Sequence, residues 1–264
     1  MKIDFLILAG GSNPEWTEKE FSAEHKNLID ICGKPSISYV LDAIKNSKNE
    51  GSIILVGTSI LEKAGFSNWV DKFIEVEPTQ SLAENVRIGE KAATGDFIVI
   101  MGGDIPGITH ETINAIVDNI NNYSNYEFIV FVVTKDEIER KFPGSKRTYG
   151  RIKEGLSKVG NLLAIRRDSL PKLDPLIDKY TAGRKSLISL AFSFGIFNII
   201  KLLITGSTSI PDLEKIFLKT TGLNAKGIVF PYGEIGVDID KPSDVYDIRN
   251  YYSRRLNQWT YSRL

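Results

Sequence analysis

The 264-residue chain is 42% hydrophobic, 25% charged and 10% aromatic, a globular composition that excludes a disordered or fibrous protein. At roughly 150 residues per domain the length suits one large domain or two small ones. Thirty-three Lys and Arg against 33 Asp and Glu leave a formal net charge of zero, without the basic excess that holding a nucleic-acid backbone requires, so any phosphate site must be local.

Short runs rich in Ile, Val and Phe alternate with segments of helical period, the pattern of βαβ units around a mostly parallel sheet. Strands are expected at 3–8, 52–56, 72–76, 97–101, 127–133, 161–166 and 226–230. Ile37, Val40, Leu41 and Ile44 predict a helix over 37–46. Leu82 and Val86 do so over 81–93, and Ile113, Ile116, Val117 and Ile120 over 109–120. The segment 135–225 differs: charged from Lys135 to Arg151, then a strand, then helical stretches with no strand between them. It reads as an insertion in a single domain, 1–264, whose core is 1–134 and 226–258.

Five apolar residues after Asp4 are too few for a signal peptide. Leu190 to Ile204 is interrupted by Ser193, Gly195, Asn198 and Lys201, short of the roughly 18 apolar residues a membrane span needs. Cys32, the one cysteine, leaves no internal disulfide or cysteine-built metal centre. A cytoplasmic protein with no nucleic-acid partner is expected.

The first strand runs into Leu8-Ala9-Gly10-Gly11, and paired glycines at the end of a parallel strand let backbone N–H groups approach a ligand or simply make a turn. Neither a Gly-x-Gly-x-x-Gly fingerprint nor a Walker A loop is present, because Pro35 follows Gly33-Lys34. His110-Glu111 lacks the second histidine of a zincin, no Gly-x-Ser-x-Gly elbow occurs, and Trp16, Trp69 and Trp259 are scattered.

After Leu8-Ala9-Gly10-Gly11 come a polar loop, Lys26 with Leu28, and Gly33-Lys34-Pro35 opening a helix. In that order they resemble the MobA-like nucleotidyltransferases, a family of GT-A-type fold that joins a nucleoside monophosphate to a phosphorylated acceptor. The resemblance continues in Ser81-Leu82-Ala83-Glu84-Asn85, which looks like the family's nucleoside-facing segment, and in Gly103-Asp104-Ile105-Pro106, its strand-end metal aspartate. It extends to Gly236-Val237-Asp238-Ile239-Asp240-Lys241-Pro242-Ser243-Asp244, its second metal element. Arg147 to Arg151 and Gly160-Asn161-Leu162-Leu163 resemble the acceptor side of one branch.

The resemblance implies an α/β fold with an acceptor-side insertion and transfer of NMP from an NTP with release of pyrophosphate. It implies Lys26 and Asp104 as catalytic residues and a nucleotide held by Leu8, Ala9, Gly10, Gly11, Lys26, Ser81 and Asn85. Arg147, Arg151 and Asn161 would meet the acceptor, and Mg²⁺ would sit on Asp104 with Asp240 or Asp238.

The residue chemistry is compatible. Asp104 follows a strand's carboxyl end, and Asp238 and Asp240, two apart, share one face of an extended segment. Asp240 is favoured, the other serving to cap the helix that starts near Pro242. Ser81 serves equally as an N-cap, and the basic cluster Lys146, Arg147, Arg151 and Lys153 equally as a solvated face. The chain departs from the family in residues 12–25, which contain no Arg, Lys19 being the sole Lys or Arg there. Two alternatives follow: a silent nucleotide-binding or regulatory module, and a glycosyltransferase using a nucleotide-sugar donor. The aromatic tail from Tyr251 to Tyr261 offers a surface for a second copy, a homodimer, or for its own domain.

Overall fold

The computed structural model describes residues 1–173 and 208–261. The Leu190–Ile204 stretch and most of the helical run expected before residue 208 lie outside the described residues. In chain order the elements are β1 (Ile3–Ala9), α1 (Glu15–Phe21), β2 (Asp30–Ile31), β3 (Lys34–Pro35), α2 (Ser36–Lys45), β4 (Ile53–Gly57), α3 (Ser59–Lys63) and β5 (Lys72–Glu75). They continue with α4 (Leu82–Ala92), β6 (Phe97–Gly102), α5 (His110–Asn122), β7 (Phe128–Thr134), α6 (Lys135–Lys141), β8 (Gly150–Ile152) and β9 (Gly155–Arg166). Last come α7 (Ile210–Thr221), β10 (Ala225–Val229) and α8 (Pro242–Tyr261).

One sheet runs in the order β10-β7-β9-β6-β1-β4-β5, with β8 on β9. β4, β1 and β6 pair in parallel, while β9 lies antiparallel between β6 and β7. Thus the mostly parallel α/β architecture expected from the sequence is the one observed. Ile3, Phe5 and Ile7 of β1 face the side covered by Ile37, Val40, Leu41 and Ile44 of α2 and by Ile113, Ile116 and Ile120 of α5. Leu6 and Leu8, one residue out of phase, face Val86 of α4 on the other side. Burial on both faces is why such strands read as continuous apolar runs.

Several elements had weaker signals. In α6 Ile138 alone is buried, and the helix depends on Thr134, whose hydroxyl accepts the Glu137 N–H. β9 starts at Gly155 rather than 161, its early residues Leu156 and Ser157 pairing with the short β8. Farther along, pairing with β7 jumps from Val130–Leu163 to Val132–Val159, a bulge that gives β9 extra residues around Asn161. Gly89 lets α4 lie against β1, since a side chain there would collide with Leu6. Tyr251 and Tyr252 pack inward, Tyr252 against Tyr39 with its hydroxyl donating to Pro106 O. No helix of the described residues is long and apolar enough to cross a membrane.

Asp4 ties the strand entries together. Fully buried, its carboxylate accepts N–H groups from Ser52 (2.8 Å), Thr94 (2.6 Å) and Gly95 (2.7 Å). An amide cannot accept all three. Asp4→Asn is expected to cost about 3 kcal/mol, a fall of roughly 6–12 °C in Tm for a chain of this size, measurable by calorimetry.

Candidate active site

β1 lies between β4 and β6, with β4 and β5 following on one side of it and β6 and β7 on the other, and where the strand order reverses in this way the strand ends open a crevice. A cleft of about 260 Å³ occupies it, lined by Leu8, Ala9, Gly10 and Gly11 at the end of β1 and by Gly102 and Asp104 at the end of β6. Lys26, Asn85, Asn161, Asp238 and Asp240 complete the residues expected from the sequence. His25, Asn27, Gln80 and Leu82 also line it. Gly10 is required sterically: a Cβ there would lie 2.5 Å from Val76 Cγ2 and 2.9 Å from Asn85 Nδ2, whereas one on Gly11 meets open space.

Charge is concentrated on the floor. Lys26 Nζ donates to Asp104 Oδ2 at 2.5 Å. Burial alone would lower the ammonium's pKa, but the Asp104 charge and hydrogen bond, helped by Asp240 and Asp238, outweigh it and raise the value. The Asp104 backbone is fixed as well, its carbonyl accepting Ile239 N–H (2.9 Å), while Gly103 N–H donates to Leu8 O (3.1 Å). Burial and then the neighbouring Asp238 push the Asp240 carboxyl up to about 6, Asp104 adding to the effect. Asp238 is held below its ordinary value: burial opposes this, but Lys158 (3.2 Å) and Arg147 (3.5 Å) prevail. Helix capping falls to Asp244, whose Oδ2 accepts Asp240 N–H (2.9 Å) and Lys241 N–H (3.0 Å). Asp238 and Asp240 are therefore both left for other work.

Three buried asparagines bring polar atoms without hydrogen-bond partners to this cleft: Asn27 Oδ1, Asn85 Oδ1, and both amide atoms of Asn161. An unsatisfied buried polar group costs about 1–3 kcal/mol, so a polar ligand that satisfied them would gain from doing so. Asn161 stands on the β9 bulge, and Gly160 beside it admits Ile235, which a Cβ would strike.

Other expected residues lie elsewhere. Ser81 caps α4 in a reciprocal box with Glu84 and is not in the cleft lining. Arg151 is exposed on β8. The Arg147 side chain, 5% exposed, is enclosed by Asp238 and Asp244. Lys19 pairs with Glu15 on the exposed face of α1.

His25 carries no recognisable motif of its own, yet it joins the Gly10-Gly11 turn to the Lys26-Asn27 segment. Its Nδ1 accepts Asn27 N–H (3.2 Å) and its ring bonds the Gly11 backbone. Burial, then Lys26, lowers its pKa to about 4. An unfolded imidazole protonates near pH 6.5, so the His25 contribution to stability is whole above that pH and is lost as pH falls toward 4. Asp240, raised to about 6, acts with opposite sign in part of that window, so the informative quantity is a difference. The stability advantage of wild type over His25→Gln is expected to shrink between pH 7 and 4.5, by on the order of 3 kcal/mol. A pH-independent difference in denaturant titrations would contradict the neutral, buried imidazole.

Residues 5–192 match the MobA-like NTP transferase domain. A probable molybdenum cofactor guanylyltransferase from Pyrococcus horikoshii is 29% identical over 126 residues, 46% of this chain and 58% of that protein. The bifunctional protein GlmU of Thermodesulfovibrio yellowstonii is 25% identical over 166 residues, 62% of this chain and 34% of that protein. The chain thus spans little more than half of the first relative and about a third of the second. Among solved structures, a hypothetical transferase from Thermus thermophilus superposes with a TM-score of 0.76 at 28% identity, covering 93% of this chain and 100% of that one. A CMP:2-keto-3-deoxy-manno-octonic acid synthetase complexed with CTP shares the fold at 16% identity and a TM-score of 0.61, covering 97% and 100%. The sequence match over most of the chain, carried on a sheet whose switch-point cleft gathers Lys26 and Asp104, shows that this protein belongs to the MobA-like NTP transferase family of nucleotidyltransferases.

Proposed function

We propose that the protein transfers a nucleoside monophosphate from an NTP to a phosphorylated small-molecule acceptor and releases pyrophosphate, with Mg²⁺. The observation that carries the reading is the convergence of the Lys26–Asp104 pair and Asp240 beside the Gly10-Gly11 turn. Mg²⁺ takes one or two protein carboxylates and completes its octahedron with water and phosphate oxygens. Asp104 and Asp240 fit that demand, and no group of three His, Cys, Asp or Glu able to hold a metal forms among the described residues. When bound there, the ion would neutralise phosphate charge.

The chain's own residues do the rest. The Gly10-Gly11 turn leaves room for phosphate oxygens, and Lys26, kept protonated by Asp104, supplies positive charge to them. Asn85, on α4 beside Gly10, meets the nucleoside through its orphaned Oδ1. Asn161, across the cleft on β9, takes the acceptor side. Arg147 is enclosed and cannot reach an acceptor without leaving Asp238 and Asp244, so exposed Arg151 is the better placed of the two arginines. A phosphate monoester, with its second pKa near 6, is already an anion at pH 7. No general base is needed, and rate comes from in-line alignment and charge neutralisation. An exposed free Cys32 accords with a reducing, cytoplasmic setting.

One observation favours a second reading, a silent nucleotide-binding module: the loop after Gly11 has Lys19 as its sole Lys or Arg, and that lysine faces Glu15 outside the cleft.

Melting of the protein with ATP, CTP, GTP or UTP, each with and without Mg²⁺, tests the donor site. A triphosphate at 100 times its Kd adds about 2.7 kcal/mol, a rise of several degrees, expected for one nucleotide and only with Mg²⁺. With that nucleotide and a panel of phosphorylated acceptors, pyrophosphate release is expected to fall by about 10²–10³-fold in Asp104→Asn at unchanged fold. Wild-type turnover in that variant would refute the role of Asp104, and stabilisation without turnover by the wild type would select the silent module.

A further inference from the structure

Asp238 and Asp240 look equivalent in sequence, but their surroundings separate them. Lys158 Nζ donates to Asp238 Oδ1 (3.2 Å) and to Gly236 O (2.9 Å). Arg147 donates through NH1 to Asp238 O (3.1 Å), places NH1 3.5 Å from Asp238 Oδ1, and lays NH2 3.0 Å from Asp244 Oδ1. Its Nε donates to Ser145 Oγ (3.2 Å). Both cations are nearly enclosed, with side-chain exposures of 5% for Arg147 and 10% for Lys158. Asp244, the far end of this chain of contacts, grips the backbone N–H of Asp240 itself. No ion pair within 4 Å is formed by Asp240 among the described residues, and its side chain remains on the cleft.

We propose that Arg147 and Lys158 are positioning residues which neutralise Asp238 and clamp the 236–244 segment so that Asp240, not Asp238, meets the metal. Two cations bound to one carboxylate reduce its attraction for a third, whereas Asp240, hydrogen-bonded to the Asp238 carboxyl and near Asp104, has Lys26 as the cation acting on it, and that ammonium has Asp104 as its direct partner. The clamp also joins the paired β8 and β9 segments to the chain leading into α8, which holds Asp240 in register. This assignment rests on the metal–nucleotide reading of the cleft and deepens it by dividing the work between the paired aspartates.

The test is Mn²⁺ binding to the full chain, read from the electron paramagnetic resonance of free Mn²⁺, with whichever triphosphate raises the wild-type melting temperature. Asp240→Asn is expected to weaken Mn²⁺ binding by about 100-fold or more, whereas Lys158→Met weakens it about tenfold, the scale of an outer-shell partner. Arg147→Lys, which keeps the charge but cannot span both carboxylates, is expected to match Lys158→Met. Asp238→Asn retains an oxygen for Lys158 and has the smallest effect, and beside it the Lys158→Met loss is smaller than in the wild type, because only the bond to Gly236 O is left to lose. Melting of each metal-free variant reports folding losses separately. Asp238→Asn weakening Mn²⁺ as strongly as Asp240→Asn, or a Lys158→Met loss undiminished beside Asp238→Asn, overturns the proposal. A wild type that binds neither triphosphate nor Mn²⁺ defeats the cleft reading itself, and the assignment with it.

Discussion

Three aspartates share one cleft, and everything around them is arranged so that three negative charges can coexist there. Each has a different solution. Asp104 holds the Lys26 ammonium at 2.5 Å. Asp238 is bracketed by Lys158 and Arg147. Asp240 has no direct cation among the described residues, and burial beside Asp238 pushes its carboxyl up to about 6. Like charges held this close in a partly dry site are costly unless a cation arrives, and the proposed metal with its phosphate chain would relieve that cost.

The fold's task is to bring these groups from distant stretches of chain to one sheet edge. Parallel β1 and β6 deliver Gly10-Gly11 and Asp104 side by side because both strands end on the same edge. Small residues make the approach possible: Gly89 seats α4 on β1, and Gly10 leaves space for Val76 and the Asn85 amide. The antiparallel β9 crosses the same edge, and its bulge falls where Asn161 turns into the cleft. Asp244 then caps α8 and fixes Asp240 in the same act.

Strands β1, β4, β6 and β7 were legible because helices cover both faces of the sheet, so their residues are apolar without a break. Lys26 and Asp104 were legible because their neighbours in sequence, Gly33-Lys34-Pro35 and Gly103-Ile105-Pro106, form recognisable local patterns. Arg147 was not. In the chain it sits in a basic stretch indistinguishable from a solvated or phosphate-binding face, and its partners Asp238 and Asp244 lie more than 90 residues away. His25 and Gln80 carry no periodic or motif signal of their own, and only their place beside Lys26 and the Ser81-Leu82 segment points to the cleft. Ser81 shows the converse: a residue inside a family segment also answers to a local capping box, the alternative its place before α4 offered.

The central claim is that one triphosphate and one divalent ion occupy the switch-point cleft together, on Lys26, Asp104 and Asp240. A crystal structure with the stabilising triphosphate and Mn²⁺, with anomalous scattering locating the ion, tests it most directly. The account predicts an anomalous peak between the Asp104 and Asp240 carboxylates, with phosphate oxygens against Gly11 and the Lys26 ammonium. Nucleotide bound elsewhere, or Mn²⁺ seated on Asp238 away from Asp240, would contradict it.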